Sequence, residues 1–188
     1  RDRFWVLTGD TDAESRVLYT DDHFASLHTL GGGSQDWRVV TMIITRDALY
    51  WGSDDDTERG ASIFRYDLGA HRLERQQHIG QVSYSSTVLS DGTLAIGTAY
   101  EPDSRFTAAQ RPMPGAGIWL STDGRHWREA VRLPYVPHQT RSGRPARAAI
   151  FFPGGPPADR LVYSPLGTAR EHFTVQLRTV DRAALAVR

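Results

Sequence analysis

Cysteine does not occur among the 188 residues of this chain, so a disulfide framework and a thiolate metal site are both excluded. Lysine and asparagine are missing too, and arginine alone supplies the 22 basic residues, which balance 22 acidic ones. A formal net charge of zero disfavours nucleic-acid binding, because nucleic-acid-binding surfaces are usually basic. No apolar run approaches the roughly 20 residues that cross a bilayer. We therefore expect neither a nucleic-acid partner nor a membrane span.

The chain does contain short apolar runs rich in Val, Ile, Tyr, Trp and Thr, which are broken by Gly, Asp and Pro. Helical periodicity is not sustained for three turns anywhere, so the pattern predicts an all-β fold. A hydrophobic stretch that ends in glycine recurs, and it places Gly9, Gly52 and Gly97 at spacings of 43 and 45 residues. Four strands in about 45 residues are typical of a β-propeller blade.

The predicted fold class is a β-propeller of four-stranded antiparallel blades, with about three and a half to four blades in one domain, 1–188. We letter the strands of a blade a to d, from the centre outward. The first blade lacks strand a, and a last strand is predicted at 185–187. Either the carboxyl end closes a four-bladed ring, or the chain is part of a larger, six-bladed propeller. We favour the second alternative because both ends fall inside a blade. The approximate blade limits are 1–33, 34–80, 81–134 and 135–188.

The sharpest local motif is STDGRHW at 121–127. Its serine, aspartate and histidine are too close in sequence to form a catalytic triad, whose members usually come from distant segments. A structural turn explains the motif better. Aspartate and serine side chains hydrogen-bond to backbone groups inside such a turn, and glycine supplies a positive φ. The residues of this predicted turn are Ser121, Asp123, Gly124 and Trp127, with Thr20 and Asp22 in a weaker copy at 20–27.

This motif resembles the Asp-box, or bacterial neuraminidase repeat, of sialidase-like propellers, although it is one residue shorter than the usual form. The resemblance implies a carbohydrate ligand or substrate and a pocket on the face opposite these turns. It also implies an arginine triad that grips a carboxylate, a tyrosine nucleophile paired with glutamate, and an aspartate acid/base. Arg38 and Arg147 fill two arginine positions, with Tyr84 or Tyr163 as the nucleophile. An extracellular or cell-surface location would follow from the same resemblance.

The opposite face carries the loops between strands b and c and the starts of the inner strands. Carboxylates that follow the glycine-containing strands are best placed to converge there, as a glycosidase pocket needs. The predicted catalytic residues are Asp10, Asp54, Glu101 and Tyr84. The predicted substrate-binding residues are Arg38, Trp37, Arg147 and Tyr100. We predict no cofactor and no metal, because the run of three aspartates at 54–56 lacks the alternation of a calcium loop.

Further rim candidates lie in longer loops. The Pro- and Arg-rich segment 134–147 is either an ordinary connection or a lid and anion-binding rim. Its candidate residues are His138, Arg141, Arg144 and Arg147. The loops after the second and third glycine strands add Asp55, Asp56, Glu58, Asp103, Arg105 and Arg111.

Three hypotheses for function follow. The first is a sialidase-like glycoside hydrolase with rim carboxylates. The second is a non-catalytic propeller that binds a glycan or a protein on the same rim, and the third is a structural module. The remaining propeller blades or a second copy of the chain are further expected partners.

Overall fold

The computed structural model describes residues 2–57, 59–102, 114–137 and 147–181, and this part of the chain is all-β. Within it the only helical element is a 3-10 turn at Gln35–Trp37, so the described residues contain no helix that could cross a membrane. Every strand pairing is antiparallel. The strands are β1 (Phe4–Thr8), β2 (Arg16–Thr20), β3 (His28–Gly32), β4 (Ile43–Ile44), β5 (Ala48–Gly52), β6 (Ser62–Asp67), β7 (Arg72–His78), β8 (Val82–Val88), β9 (Leu94–Tyr100), β10 (Gly115–Ser121), β11 (Arg128–Pro134), β12 (Ala148–Phe151), β13 (Leu161–Leu166) and β14 (Gln176–Arg178).

The first two sheets reproduce the predicted strand order. The order β1-β2-β3 corresponds to strands b, c and d of the first blade, and β4-β5-β6-β7 gives a complete second blade. Strand β4 has only two residues, because the chain before it makes the 3-10 turn and then a single bridge from Val39 to Ser53. The fold is thus an all-β partial propeller, as the sequence predicts.

The last two predicted blades are joined into one seven-stranded sheet, which the sequence does not predict. Strand β9 pairs with β8 along its length and with β10 only as far as Gly97. Beyond that point the Thr98 hydroxyl replaces the backbone partner: it accepts a hydrogen bond from the Gly117 amide (2.8 Å), and its own proton is shared between the Gln81 side-chain oxygen (2.9 Å) and the Gly117 carbonyl (3.3 Å). Ala99 and Tyr100 are then free to pair with β12, which links the two blades.

Apolar clusters lie between successive sheets. Leu49, Trp51 and Phe64 of the second sheet pack with Val17 of the first. Ile96 of the third sheet and Trp127, which directly precedes β11, belong to a second cluster. The members of that cluster are Ile43, Ala48, Tyr50, Ala61, Ile63, Ile79, Leu94, Ile96 and Trp127. A third cluster fills the curl of the seven-stranded sheet. Face-to-face burial of this kind positions each sheet against the next.

The repeated glycines are needed for close packing. A side chain at Gly52 would place its Cβ 2.4 Å from the Ser83 Cβ on β8, and one at Gly97 would lie 2.5 Å from the Ser85 hydroxyl. A Cβ at Gly9 would lie 2.3 Å from the backbone of Ser15, and the φ of Gly9, 108°, also lies in a region that side chains rarely adopt. The repeat therefore marks the contact between the second and third sheets at Gly52, a close strand pairing inside the third sheet at Gly97, and the start of the first loop at Gly9.

The turn at 121–127 is a hydrogen-bonded staple between β10 and β11. The Asp123 carboxylate accepts bonds from the backbone amides of Arg125 (2.8 Å) and His126 (2.9 Å), and the Ser121 hydroxyl accepts one from the Gly124 amide (2.9 Å). Burial alone would raise the pKa of Asp123, but hydrogen bonds from His126, Arg125 and Ser121 hold it well below its ordinary value. Gly124 has a φ of 69°, and Trp127 is buried in the second cluster.

Aspartate serves in the same way in the two equivalent turns. Between β2 and β3, Asp22 accepts bonds from the Ser26 hydroxyl (2.6 Å) and amide (2.9 Å) and from the Thr20 hydroxyl (2.7 Å). The Ser26 bonds are the main reason that the pKa of Asp22 falls to about 2. Between β6 and β7, Asp67 accepts bonds from the amides of residues 69 and 70. All three turns thus share one side-chain-to-backbone device.

Candidate functional site

Three predicted acidic residues follow three successive b strands. Asp10 and Asp54 each lie two residues beyond a strand, β1 and β5, and Glu101 comes directly after β9. Because antiparallel strands alternate in direction, these loops lie at the opposite end of their sheets from the aspartate-capped turns. The candidate site and the aspartate-capped turns therefore lie at opposite ends of each sheet.

Arg38 lies at the centre of an acidic group from two sheets. Its guanidinium contacts Asp10 at 2.7 Å, Asp54 at 3.0 Å and Asp56 at 2.8 Å. The Asp54 amide donates to the Arg38 carbonyl at 2.8 Å, so backbone and side chain both hold the two residues together. The Arg38 side chain is mostly buried, whereas Asp10 is exposed. One cation is thus shared by three carboxylates, which leaves this group with a net negative formal charge.

Asp54 has the most unusual acidity of the predicted site residues. Its side chain is only 13% exposed. Burial raises the pKa of Asp54 from 3.8 to about 7; Arg38 opposes this rise, while Glu101, Asp56 and Asp10 add to it. A carboxyl that titrates near neutral pH can both donate and accept a proton under physiological conditions.

Tyr84, Glu101 and Arg147 form a second group. Arg147 contacts the Glu101 carboxylate at 2.7 Å and the Tyr84 hydroxyl at 2.9 Å, and that hydroxyl also donates to Glu101. Glu101 is buried, whereas about half of the Arg147 side chain is exposed. The buried carboxylate therefore has both a cation and a hydroxyl donor.

A β-bulge presents Tyr84 to this group. Ser83 pairs with Thr98 and Ser85 pairs with Gly97, so Tyr84 is the extra residue on β8. A bulge re-aims one side chain without ending the strand, and bulges are common beside active sites. Sequence periodicity treats β8 as regular and could not have located this bulge.

The two groups are neighbours because β5 and β8 meet at their ends. The Ser83 amide donates to the Ser53 carbonyl at 3.2 Å, and Gly52 allows the two strands to approach. Asp54 follows this junction on one strand and Tyr84 follows it on the other. The negative charge of Glu101 contributes to the raised pKa of Asp54, which couples the two groups electrostatically. Asp10, Arg38, Asp54, Glu101, Tyr84 and Arg147 are thus brought to one region.

Trp37 and Tyr100, predicted to contact substrate, lie in apolar layers instead. The Trp37 ring packs against Trp51 and Tyr66, with ring centroids 5.4 and 5.8 Å apart. Tyr100 is 8% exposed and packs against Tyr135 at 5.0 Å. For Tyr100 the sequence position beside the rim does not reveal this, because alternate residues of a strand face opposite sides. Trp37 ends the 3-10 turn at Gln35–Trp37, which the strand pattern does not predict.

Two further candidates have structural contacts. Tyr163 is fully buried, and burial, with its hydrogen bond to Glu171, raises the pKa of the phenol to about 12, which opposes nucleophilic use near neutral pH. Asp55 accepts a bond from the Thr57 amide at 2.9 Å and contacts Arg59 at 3.2 Å. The described residues contain no group of three or more His, Asp or Glu arranged to hold a metal ion. The predicted residues Glu58, Asp103, Arg105, Arg111, His138, Arg141 and Arg144 and the strand at 185–187 lie outside the described residues.

Two solved structures similar to this chain carry propeller-type folds. One is an X-ray structure provisionally described as a gluconolactonase, with a TM-score of 0.46 and 13% identity over 95% of this chain and 65% of that one. The other is TolB from Acinetobacter baumannii, with a TM-score of 0.43 and 14% identity over 93% of this chain and 42% of that one. The chain thus spans less than two thirds of the length of either protein.

The resemblance to sialidase-like propellers is wrong. No protein-family model matches the chain, no curated protein matches it, and the two similar structures are not sialidases. The physical reason is visible in the turn at 121–127. An aspartate that caps backbone amides, together with a glycine at positive φ, satisfies a general requirement of tight turns. A turn motif of this kind fits a propeller blade without specifying one family.

Proposed function

We propose that this propeller module binds a hydroxyl-rich, carbohydrate-like ligand at the Arg38–Asp54–Glu101 region and cleaves a glycosidic bond by acid/base catalysis. The observation that carries the proposal is Asp54, a buried carboxyl whose pKa lies at about 7 beside a second carboxyl group. Pairs of carboxyl groups whose surroundings separate their proton affinities are the usual device of glycosidic bond hydrolysis.

The roles follow from the surroundings of each group. Protonated Asp54 donates its proton to the leaving glycosidic oxygen as the carbon–oxygen bond breaks. Glu101, which is ion-paired with Arg147, accepts a proton from the water whose hydroxyl joins the sugar carbon. The proton then returns from Glu101 to Asp54 through solvent, which completes the balance. Tyr84 and Arg147 position the Glu101 carboxylate.

Hydrolysis of a panel of aryl glycosides tests this proposal. Asp54→Asn and Glu101→Gln should each lower kcat/KM by at least about 100-fold, the usual contribution of a general acid or base. Asp47→Asn is the matched control, because Asp47 is exposed in the β4–β5 turn at the other end of the same sheet. Activity unchanged in Asp54→Asn would remove Asp54 from the reaction.

The second candidate function is a non-catalytic module that binds a glycan or a protein. It is favoured by the exposure of Asp10 and Arg147, which can contact a ligand without any chemistry. Saturable glycan or protein binding that Asp54→Asn preserves, without turnover by the wild type, would favour this alternative.

A further inference from the structure

A cavity of about 460 Å³ lies between the end of β11 and the loop that follows β13, and it contains none of the residues of the proposed site. Its lining residues are Arg132, Leu133, Pro134, Ala169, Arg170, Glu171 and Arg178. This volume is within the range of small-molecule sites.

Backbone bonds hold the two walls of the cavity together. The Ala169 amide donates to the Pro134 carbonyl at 2.9 Å, and the Val136 amide donates to the Gly167 carbonyl at 3.3 Å. Tyr135 and Thr168 form an isolated bridge between the same segments. The cavity is therefore built from paired backbone, which reduces the ordering needed when a ligand binds.

The lining contains three guanidinium groups and one carboxylate, and a second carboxylate beside the cavity, Glu129, forms an ion pair with Arg132. Arg178 contacts the lining carboxylate, Glu171, at 2.9 Å, and Glu171 also accepts a bond from the Tyr163 hydroxyl at 3.0 Å. Arg132 donates to the Gln81 side chain at 2.7 Å, which fixes its orientation. Its Nε is buried and has no hydrogen-bond partner among the described residues. Because that nitrogen is closed off from solvent, the cationic groups within reach of a ligand are those of the exposed Arg170 and Arg178.

The remaining lining is apolar. Leu133 is buried, and Pro134 and Ala169 complete a nonpolar wall beside the arginines. Guanidinium groups bind carboxylate and phosphate oxygens through paired, charge-assisted hydrogen bonds. We propose that this cavity binds a small organic oxyanion, with its carboxylate or phosphate at the arginines and its apolar body against Leu133 and Pro134.

Titration calorimetry on the full chain tests the proposal with benzoate, phenyl phosphate and the neutral benzyl alcohol. One or both anions should bind with a Kd of about 1 mM or tighter, and the alcohol should bind at least tenfold more weakly. The anion that binds identifies the head group. Absence of anion binding at about 1 mM, or equal binding of the alcohol, would overturn the proposal.

Arg170→Gln is the informative variant, because Arg170 is exposed and its removal leaves the Arg178–Glu171 pair intact. We expect anion affinity to fall about tenfold, the loss of one charge-assisted contact. Arg72→Gln is the control, since Arg72 is exposed on β7 in another sheet. Equal affinity in the two variants would place anion binding elsewhere on the chain and refute this site. Because the test needs no turnover, its result is independent of the proposed hydrolysis.

Discussion

Replacing Asp54 with Asn should stabilise the protein at alkaline pH and change little at acidic pH. Burial raises the pKa of the folded Asp54 carboxyl from 3.8 to about 7, so the folded state disfavours its ionisation. The wild type is then most stable, with respect to this group, below pH 3.8. Stability is lost as the pH rises toward 7, and it stays lower above that value. Asparagine cannot ionise, so the variant does not undergo this loss.

The size of this stability difference follows from the difference between the pKa of Asp54 in the folded and in the unfolded protein. At 1.36 kcal/mol per pKa unit, a rise from 3.8 to about 7 corresponds to about 4 kcal/mol at pH 8. The opposing attraction of Arg38 is already part of that pKa. Because the side chain is only 13% exposed, solvent screening reduces this value little. For a chain of this length, about 4 kcal/mol shifts the Tm by roughly 8–16 °C.

Urea unfolding from pH 4 to pH 8 measures the effect. The difference in free energy of unfolding between Asp54→Asn and wild type should be near zero at pH 4 and grow through neutral pH. Asp47→Asn, which alters an exposed carboxyl at the opposite end of the sheet, should show no such growth. A variant that is equally or less stable than the wild type at pH 8 would refute the argument that the Asp54 carboxyl is buried at a cost.

Three further substitutions test the architecture. Asp123→Ala should destabilise the β10–β11 turn by about 1–2 kcal/mol in urea unfolding at pH 7, because two backbone amides lose their acceptor; an unchanged midpoint would contradict this. Gly97→Ala should lower the free energy of unfolding by about 1–3 kcal/mol, because the new Cβ would lie 2.5 Å from a hydroxyl oxygen. Gly154→Ala, whose Cβ would have nothing within 4 Å, should leave stability unchanged, and equal shifts of Tm in the two variants would contradict this packing. Thr98→Val should lower the free energy of unfolding by about 1–3 kcal/mol, because the Gly117 amide loses its acceptor. Unchanged protection of the Gly117 amide in hydrogen exchange would contradict this role of Thr98.

The strands were largely predictable from the sequence because alternation and glycine spacing are local signals. The union of the last two blades was not, since it depends on one hydroxyl, that of Thr98, replacing a backbone partner across two strands. No single-residue pattern distinguishes that threonine from the other β-branched residues of the same strands.

The candidate site was predictable in part. Asp10, Asp54 and Glu101 could be assigned to one end of the sheets because each follows a glycine-containing strand. Strand direction alone decides the end of a sheet at which such a loop lies. Their contacts were not predictable, because side-chain direction at strand ends depends on local irregularities. Tyr84 reaches Glu101 only through a bulge, and Tyr100, next to Glu101 in sequence, packs into an apolar layer instead.

The pairing of β9 with β12 has a consequence for how the molecule opens. Separating the last two blades requires breaking backbone bonds at Ala99 and Tyr100 as well as exposing apolar surface, whereas no strand pairing among the described residues joins the first sheet to the second. Hydrogen exchange should then reveal the seven-stranded sheet as one cooperative unit, with the three-stranded first sheet opening at lower free energy. Asp10 belongs to that looser unit and Asp54 to its neighbour, so Arg38 spans the boundary at which local opening would begin.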